Sequence, residues 1–328
     1  MDDRFTMAKE QNTSDGARLL CELLLQPKIA DGKFDEELFQ LERQALIEEI
    51  QAQMNDKRGY TIRRCEELLY QGQSRGLPQY GYKEKAQQMT AVSVAAAYDR
   101  LLSGCKIEIM FLGCGDMNKV YETFCSEFGA ISANGFSFSE SAASLQSGEV
   151  LHGQEELDVS QSKLAIGFQT TVSGSDKDAP ATRLAVALFG GTPFSRLFTY
   201  VREKQSLCYY CAAKYDRMNG TMMVDCGIEA DKKQQATDEI LKQFEIVKNG
   251  EFTAEELHNT RLSLINSLSA VKDSLSSQET WYLAQVIGGT LYSPAEEANK
   301  IKEVTTQDVQ KAFDKMQLRA DFFLTPKQ

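Results

Sequence analysis

Apolar residues recur at helical spacing through much of the first half of the chain. This pattern predicts five helices, over residues 15–26, 34–55, 59–72, 91–104 and 116–128. The apolar run "KIEIMFLG" at 106–113 predicts a strand after the fourth helix. From 129 to 157 the chain is rich in Gly and Ser and has no periodicity, which is typical of an interdomain linker.

The second half begins with strand patterns and ends mainly with helical ones. "KLAIGFQTTV" predicts a strand, and a helix is predicted from about Pro180 to Phe189. "SLCYYCAAKY" and "TMMVDCGIEA" flank "DRMNG", whose Asn219 and Gly220 indicate a β-hairpin. The remainder is predicted to be helical up to a closing strand, "ADFFL".

The helical parts of the two halves resemble each other. "FDEELFQLERQALIEEI" at 34–50 matches "FTAEELHNTRLSLINSL" at 252–268 almost in register. "MTAVSVAAAYDRL" at 89–101 matches "VTTQDVQKAFDKM" at 304–316, and each begins with a Thr placed to cap a helix. The repeat predicts two copies of one α+β unit.

The two copies differ in what precedes the shared helices. We assign residues 1–128 to the first unit, 129–157 to the linker and 158–328 to the second unit. About 75 residues of strands and loops precede the shared helices in the second unit, but only about 15 polar residues do so in the first. The first unit is either shortened at its N-terminus or genuinely smaller. We favour shortening, because a sheet without several strands leaves apolar helix faces uncovered.

The predicted helix 34–55 carries carboxylates on its apolar side. Its expected inward stripe consists of Leu38, Leu41, Ala45 and Leu46. Glu42 and Glu49 fall in the same stripe, whereas Glu48 points away. An unpaired buried carboxylate costs several kcal/mol, so the stripe borders either a water-filled chamber or an Arg, or Glu49 is a metal ligand.

The amino-acid composition argues against some classes of binding partner. The chain has 328 residues and a formal net charge of -11, which argues against nucleic acid or an anionic membrane as its main partner. No apolar run approaches the roughly 20 residues of a membrane span. The start "MDDRFTMAKEQNTSDG" does not read as a signal peptide, so we expect a cytoplasmic protein.

Eight cysteines are spread through apolar surroundings, and we expect them to be reduced and mostly buried. "CYYC" at 208–211 has the C-x-x-C spacing. No second pair stands at the spacing of a zinc site and the run resembles a strand, so a structural role is favoured over a metal or redox role.

The stretch "GGTPFSRLFTYVREKQSLCYY" combines features of a binding loop. Gly190 and Gly191 permit a tight turn, and Arg202 offers a planar set of donors to a carbonyl or carboxylate. Tyr209 can donate its hydroxyl to a developing oxyanion. The alternative is that Arg202 pairs with Glu203 or another acidic residue and that Tyr209 packs as an aromatic side chain on a strand.

Two segments resemble the M16 metallopeptidases, the pitrilysin/insulinase clan that includes the mitochondrial processing peptidase. The similarity runs over nearly the whole chain and implies an α+β fold of two duplicated M16-type (LuxS/MPP-like) units. "LERQALIEEI" resembles the family segment in which the last glutamate of the E-E pair is the third zinc ligand. That ligand is Glu49 here, and Glu42 matches a supporting acid.

The second segment resembles the second-domain motif of a glycine pair, a Ser-x-Leu-Phe run, and an Arg and a Tyr seven apart. In the family this Arg and Tyr reach the substrate and the scissile peptide. The substrate-binding residues implied here are Gly190, Gly191, Ser195, Arg202 and Tyr209. Cys208 stands where the family more often has Gly or Ala.

The chain departs from the catalytic members in lacking H-x-x-E-H, which supplies two zinc ligands and the glutamate that activates the bound water. His152 and His258 have no such context and are expected at the surface. One carboxylate cannot hold a catalytic zinc, which takes about three protein ligands. No cofactor is therefore expected in this chain, and zinc only if the motif lies upstream of Met1.

The resemblance implies a non-catalytic subunit that adds substrate-binding surface to an active M16 zinc protease. The motif beginning at Gly190 and "NDKRGY" at 55–60 look most like the bacterial non-catalytic sister subunits. The implied partners are an M16 paralogue, in a homo- or heterodimer, and a peptide or unfolded polypeptide. Two alternatives remain: a truncated form of an active zinc metalloendopeptidase, a processing protease, and an assembly subunit like the core subunits of the respiratory bc1 complex.

Overall fold

A computed structural model describes residues 12–129 and 148–327. Contacts between Cα atoms divide the chain into two compact units. The first comprises Met1–Gln51 and Tyr80–Ser139, and the second comprises Ala52–Gln79 and Glu140–Gln328. Most of the predicted linker, residues 130–147, lies outside the described residues.

Helices and strands are both abundant, which confirms the predicted α+β class. The α-helices of the described residues are α1 (Asn12–Leu25), α2 (Glu36–Ala52), α3 (Lys57–Leu69), α4 (Lys83–Gln88), α5 (Ala91–Gly104), α6 (Met117–Phe128), α7 (Ala179–Val186), α8 (Lys233–Lys248), α9 (Ala254–Ser269), α10 (Leu275–Ile287), α11 (Pro294–Glu303) and α12 (Thr306–Asp314). The strands are β1 (Ile29–Ala30), β2 (Lys33–Phe34), β3 (Leu151–Leu157), β4 (Ser162–Gln169), β5 (Cys208–Asp216), β6 (Thr221–Ile228) and β7 (Gln317–Pro326). Within the described ranges, no helix combines the length and apolarity that a membrane crossing requires.

The first unit is a group of helices with a short hairpin, in which β1 pairs antiparallel with β2. α1 packs on α6, and α5 packs on β2. Tyr98 of α5 donates its hydroxyl to the carbonyl of Leu24, and its ring meets Phe34 edge-on at 6.2 Å. The predicted caps are confirmed, because Thr90 and Thr305 each form a capping box at the start of α5 and α12.

The predicted inward stripe of α2 is wrong. The buried side chains of this helix are Phe39 and Ile47, whereas Leu38 is 49% exposed and Leu41 67% exposed. Between the buried residues, Arg43 donates to the carbonyl of Met89 at 3.3 Å. The hairpin β1–β2 is the only β-structure in the described part of this unit, so no sheet covers the leucine side of α2.

The predicted strand at 106–113 is also wrong, because residues 105–112 adopt no regular structure. Ile107 and Ile109 are exposed rather than packed. A strand requires a hydrogen-bonded neighbour, and the described residues offer none to this run. The matching strand of the second unit, β7, is paired on both sides.

The second unit contains a five-stranded sheet in the order β3-β7-β4-β6-β5. β3 runs parallel to β7, and the other neighbours are antiparallel. Along β4, Leu164 and Ile166 belong to one hydrophobic cluster and Ala165 belongs to another. Because successive side chains alternate between faces, β4 is buried on both sides, and helices cover each face.

The larger cluster lies between the sheet and helices α7 to α12, with phenylalanines at its centre. Phe168 of β4 stacks on Phe244 of α8 at 5.0 Å, and Phe244 contacts Phe313 of α12 at 4.8 Å. Phe189 meets both Phe244 and Phe313 edge-on. Full burial of such a side chain contributes roughly 1.5–3 kcal/mol, so this cluster anchors the sheet that carries β5 and β6.

The opposite face of the sheet is covered by α3. Cys65 and Leu69 pack in the smaller cluster with Ala165 and Phe322. The sequence places α3 in the first unit and β3 in the linker, whereas both contact the sheet of the second unit. The reason is apolar burial, because β4 and β7 need a cover on this face.

The N-terminal end of α3 attaches to the sheet through polar contacts made by "NDKRGY". Asp56 caps the helix by accepting from the amide of Gly59. Arg58 pairs with Asp225 of β6, and its guanidinium lies 4.6 Å from the ring centroid of Tyr210. The segment that resembles the bacterial sister subunits therefore has a structural role in the second unit.

Tyr60 of α3 gives a pH-dependent prediction. Burial and the hydrogen bond to Glu155 raise the pKa of Tyr60 to about 12. Its neutral form therefore contributes stability that is complete below the unfolded pKa of about 10 and is lost as the pH rises through 12. We expect the advantage of the wild type over Tyr60→Phe in unfolding free energy, measured with urea, to be constant up to pH 10 and to shrink towards pH 12. A pH-independent difference would contradict this assignment.

The predicted hairpin is confirmed as β5–β6. Asp216 pairs with Thr221, so the loop comprises residues 217–220 and ends at Gly220, whose φ is +63°. Asp216 accepts hydrogen bonds from the amides of Met218 and Asn219. This loop fixes the register of β5 against β6, and thereby the positions of the side chains discussed next.

Candidate functional site

Arg202 and Tyr209 line one cleft of the second unit. Arg202 lies on a π-helical segment, Leu197–Lys204, and Tyr209 lies near the start of β5, an edge strand of the sheet. The cleft has a volume of about 430 Å³ and is lined by Arg202, Glu203, Ser206, Leu207, Cys208, Tyr209, Glu229 and Lys232. The structure thus brings together the two residues to which the sequence assigns direct substrate contact.

The side chain of Arg202 makes only weak contacts with its neighbours. Its guanidinium lies 4.7 Å from the ring centroid of Phe198, and its Nε is 3.6 Å from Oε1 of Glu203. The pairing with Glu203 that the sequence allowed is therefore present. An ion pair this long and exposed contributes little, so it does not commit the donors of Arg202.

Tyr209 does not pack in the sheet. It is 57% exposed because a β-bulge between Cys208 and Tyr210 turns it outward. Its hydroxyl donates to Glu229, and this hydrogen bond to a carboxylate raises the pKa of Tyr209. The phenol therefore stays protonated and is a donor at the mouth of the cleft.

The other residues of the motif do not line this cleft. Gly190 is buried against Ala213 of β5. Gly191 is exposed at the end of the π-helical segment Ala187–Gly191. Ser195 is 1% exposed, and its hydroxyl has no hydrogen-bond partner among the described residues. Binding by Gly190, Gly191 and Ser195 stays a prediction.

The two glycines offer a matched test of packing. A Cβ on Gly190 would lie 2.6 Å from the backbone nitrogen of Ala213, whereas a Cβ on Gly191 would come no closer than 3.4 Å to Ala187. We expect Gly190→Ala to lower the free energy of unfolding by about 1–3 kcal/mol, because the helix must move away from β5. Gly191→Ala should change it by less than about 1 kcal/mol. Equal urea midpoints for the two variants would contradict this packing role for Gly190.

Arg196, in the middle of the same motif, is a buried residue that sequence reasoning missed. Its Nε donates to Oε1 of Gln243 at 2.9 Å, and its Nη1 donates to Oε1 of Glu256 at 2.9 Å. Its guanidinium also lies 4.4 Å from the ring centroid of Tyr200. Arg196 therefore ties the start of the π-helical segment that carries Arg202 to α8 and α9.

The predicted metal residues Glu42 and Glu49 are both exposed on α2, not buried on an inward stripe. The two histidines lie on other elements. His152 is on β3, where it pairs with Asp321, and His258 is on α9. Both are exposed, as predicted. Among the described residues no group of donors forms around Glu49, so these residues do not fit a catalytic zinc.

Three cysteines converge next to the cleft. The Sγ atoms of Cys208, Cys211 and Cys226 all lie within 4.8 Å of one another. Cys211 is directly opposite Cys226 in the β5–β6 ladder, and the bulge brings Cys208 onto the same face. The sequence showed only the C-x-x-C pair, because Cys226 joins it through the register of the hairpin.

Comparisons with known proteins agree with this fold. The model of a protein family described as the peptidase M16 inactive domain matches residues 88–264. The probable inactive metalloprotease YmfF of Bacillus subtilis (strain 168) is 30% identical over 318 residues, which cover 94% of this chain and 72% of YmfF.

Two solved structures are similar along nearly the whole chain. A conserved protein from Enterococcus faecalis V583 is 25% identical, with a TM-score of 0.88 over 100% of this chain and 77% of its own. A peptidase M16 inactive domain from Pseudomonas fluorescens is 16% identical and has a TM-score of 0.72. The alignment covers 95% of this chain and 75% of the Pseudomonas chain. From the family match and the YmfF relationship together, the chain belongs to the M16 peptidase family, among its inactive-domain homologues.

Proposed function

We propose that this chain is a non-catalytic subunit that contributes substrate-binding surface to an active M16 zinc protease. The observation that carries the proposal is the cleft that both Arg202 and Tyr209 line, in a chain whose two histidines lie on separate elements. The chain can thus present binding groups to a peptide, while zinc and its activated water come from a partner.

The chemistry of the cleft suits an extended peptide. Arg202 and Lys232 provide cations for carbonyl oxygens or a carboxylate, and Tyr209 provides a hydroxyl donor. In the described part of the chain, β5 pairs only with β6, so no described strand occupies its outer edge. Main-chain pairing to a sheet edge gives affinity without sequence preference, as a general peptide-binding subunit requires.

Exposed leucines of the first unit support association with a paralogue. Four belong to α1 and two to α2: Leu19, Leu20, Leu23, Leu24, Leu38 and Leu41. Large apolar side chains exposed in such number on two helices favour a protein–protein interface. We propose a dimer, with an M16 paralogue or with a second copy, in which these side chains are covered.

The proposal is tested by isolating the native protein with its associated chains and measuring bound zinc, peptide hydrolysis and intact mass. We expect this chain to carry no zinc at a histidine site and to hydrolyse peptides only together with an M16 partner that carries zinc. A chelator-sensitive peptidase activity of this chain alone would establish the truncated-protease alternative instead. Stable association without any effect on peptide hydrolysis would establish the assembly alternative.

A further inference from the structure

The cysteine trio depends on an irregularity of β5. On a regular strand, residues three apart point to opposite faces, so C-x-x-C separates its two thiols. The bulge at Tyr209 shifts this alternation, and Cys208 pairs with Ile228 while Cys211 pairs with Cys226. Since Cys226 and Ile228 are two apart on β6, all three thiols share one face.

We propose that Cys208, Cys211 and Cys226 form a three-thiolate binding site for a soft metal ion, Zn²⁺ or Cu⁺. With metal–sulfur bonds of about 2.3 Å, three sulfurs around one ion lie about 4 Å apart. The observed separations, all within 4.8 Å, approach this arrangement, so small side-chain rotations suffice. This inference stands independently of the proposed partner role.

The ligand atoms of the cysteine trio determine which class of metal ion it can bind. The trio contains sulfur alone, and among the described residues no imidazole or carboxylate belongs to it. Thiolates bind Zn²⁺ and Cu⁺ well, whereas Mg²⁺ and Ca²⁺ prefer oxygen ligands. With three protein ligands, a Zn²⁺ ion would take its fourth ligand from solvent on the cleft side.

The access to the cysteine trio and the charged residues around it are compatible with metal binding. Cys211 and Cys226 are buried, but Cys208 is half-buried and lines the cleft, which provides an entry path. Arg202 lines the same cleft as Cys208 and favours negative charge there, whereas Asp225, next to Cys226 on β6, opposes it.

The test titrates Cd²⁺, a thiophilic substitute for Zn²⁺, into the reduced, metal-free chain and follows thiolate-to-metal absorption in the ultraviolet. The exposed Cys114 and Cys125 are first replaced by Ser to remove adventitious binding. We expect one equivalent to bind, to be displaced by Zn²⁺ or Cu⁺, and to bind more weakly as the pH falls. We expect Cys226→Ala to weaken binding by about 100-fold or more.

The matched control is Cys65→Ala, which removes another fully buried cysteine, located under α3 and outside the trio. It should leave the titration unchanged. If Cys226→Ala does not fold, Cys208→Ser removes the most accessible ligand and should give the same loss. Absence of the absorption, equal binding by the trio variants, or formation of a disulfide within the trio in place of metal binding would overturn the proposal.

Discussion

Arg202→Ala combined with Tyr209→Phe is expected to lower kcat/KM for peptide hydrolysis by the proposed assembly with an M16 protease at least about 100-fold, with no loss of assembly. Both side chains line the cleft, and in the proposed function they are its donors to a peptide. Removal of one donor aimed at a developing oxyanion costs about 100- to 1000-fold in catalysed acyl transfer. Arg202 is expected to act mainly in binding.

The single variants separate these roles. Arg202→Ala should raise KM with a small change in kcat, because a cation that holds the peptide contributes equally to the ground state and the transition state. Tyr209→Phe should lower kcat, if its hydroxyl leaves Glu229 for the reacting carbonyl. Steady-state kinetics of the reconstituted pair, at matched subunit ratios confirmed by gel filtration, measures both effects.

Lys204→Ala is the matched control, because Lys204 belongs to the same π-helical segment as Arg202 but does not line the cleft. Its Nζ lies over the ring of Tyr200. We expect its loss to change kcat/KM by less than about threefold, as for an exposed charge. Equal activity of the double variant and the wild type would refute the role of Arg202 and Tyr209 in substrate binding.

The second unit was largely predictable because the local sequence pattern of its segments agrees with the way they pack in the fold. The apolar run of β4 is buried on both faces, and the hairpin formed around Asn219 and Gly220 as predicted. Arg202 and Tyr209, which belong to one motif in the sequence, line one cleft in the structure. In these segments the residues that favour a strand or a hairpin locally are also the residues that pack in the core of the fold.

The first unit was harder to predict because periodicity defines a stripe but not what covers it. The leucines of α2 form a valid helical stripe, yet Phe39 and Ile47 are the buried residues. The repeat held the better signal, because Leu257 stands at the position of Phe39 in the second copy and is also buried. Covering surfaces are a tertiary property, which a single helix does not encode.

The cysteine trio was missed for a different reason. Strand alternation correctly separates the two thiols of "CYYC" on a regular strand, and only the bulge at Tyr209 reverses that result. The position of Cys226 depends on a four-residue loop rather than a two-residue Asn-Gly turn. Neither the bulge nor the length of the loop is specified by the pattern of apolar and polar residues.

Arg196→Ala is expected to lower the free energy of unfolding by about 2–4 kcal/mol, because it removes the buried member of a part-buried ion pair and its hydrogen bond to Gln243. Arg196 is 5% exposed, and its guanidinium serves both Gln243 and Glu256. Gln243 is itself buried, so its carbonyl oxygen would lose this donor in a place where water does not replace it. Glu256 would lose its cation while it still closes the capping box of α9.

Two further variants define the cause of this loss. Arg196→Lys keeps the charge but cannot reach both acceptors with a planar fork, so we expect an intermediate loss of about 1–3 kcal/mol. Arg202→Ala removes an exposed arginine from the π-helical segment that follows Arg196 and should cost less than about 1 kcal/mol. Urea unfolding measures the free energy of unfolding of all three variants, and the comparison requires that their m-values be equal. If Arg196→Ala were as stable as Arg202→Ala, the buried network would not be what holds the cleft-forming segment on α8 and α9.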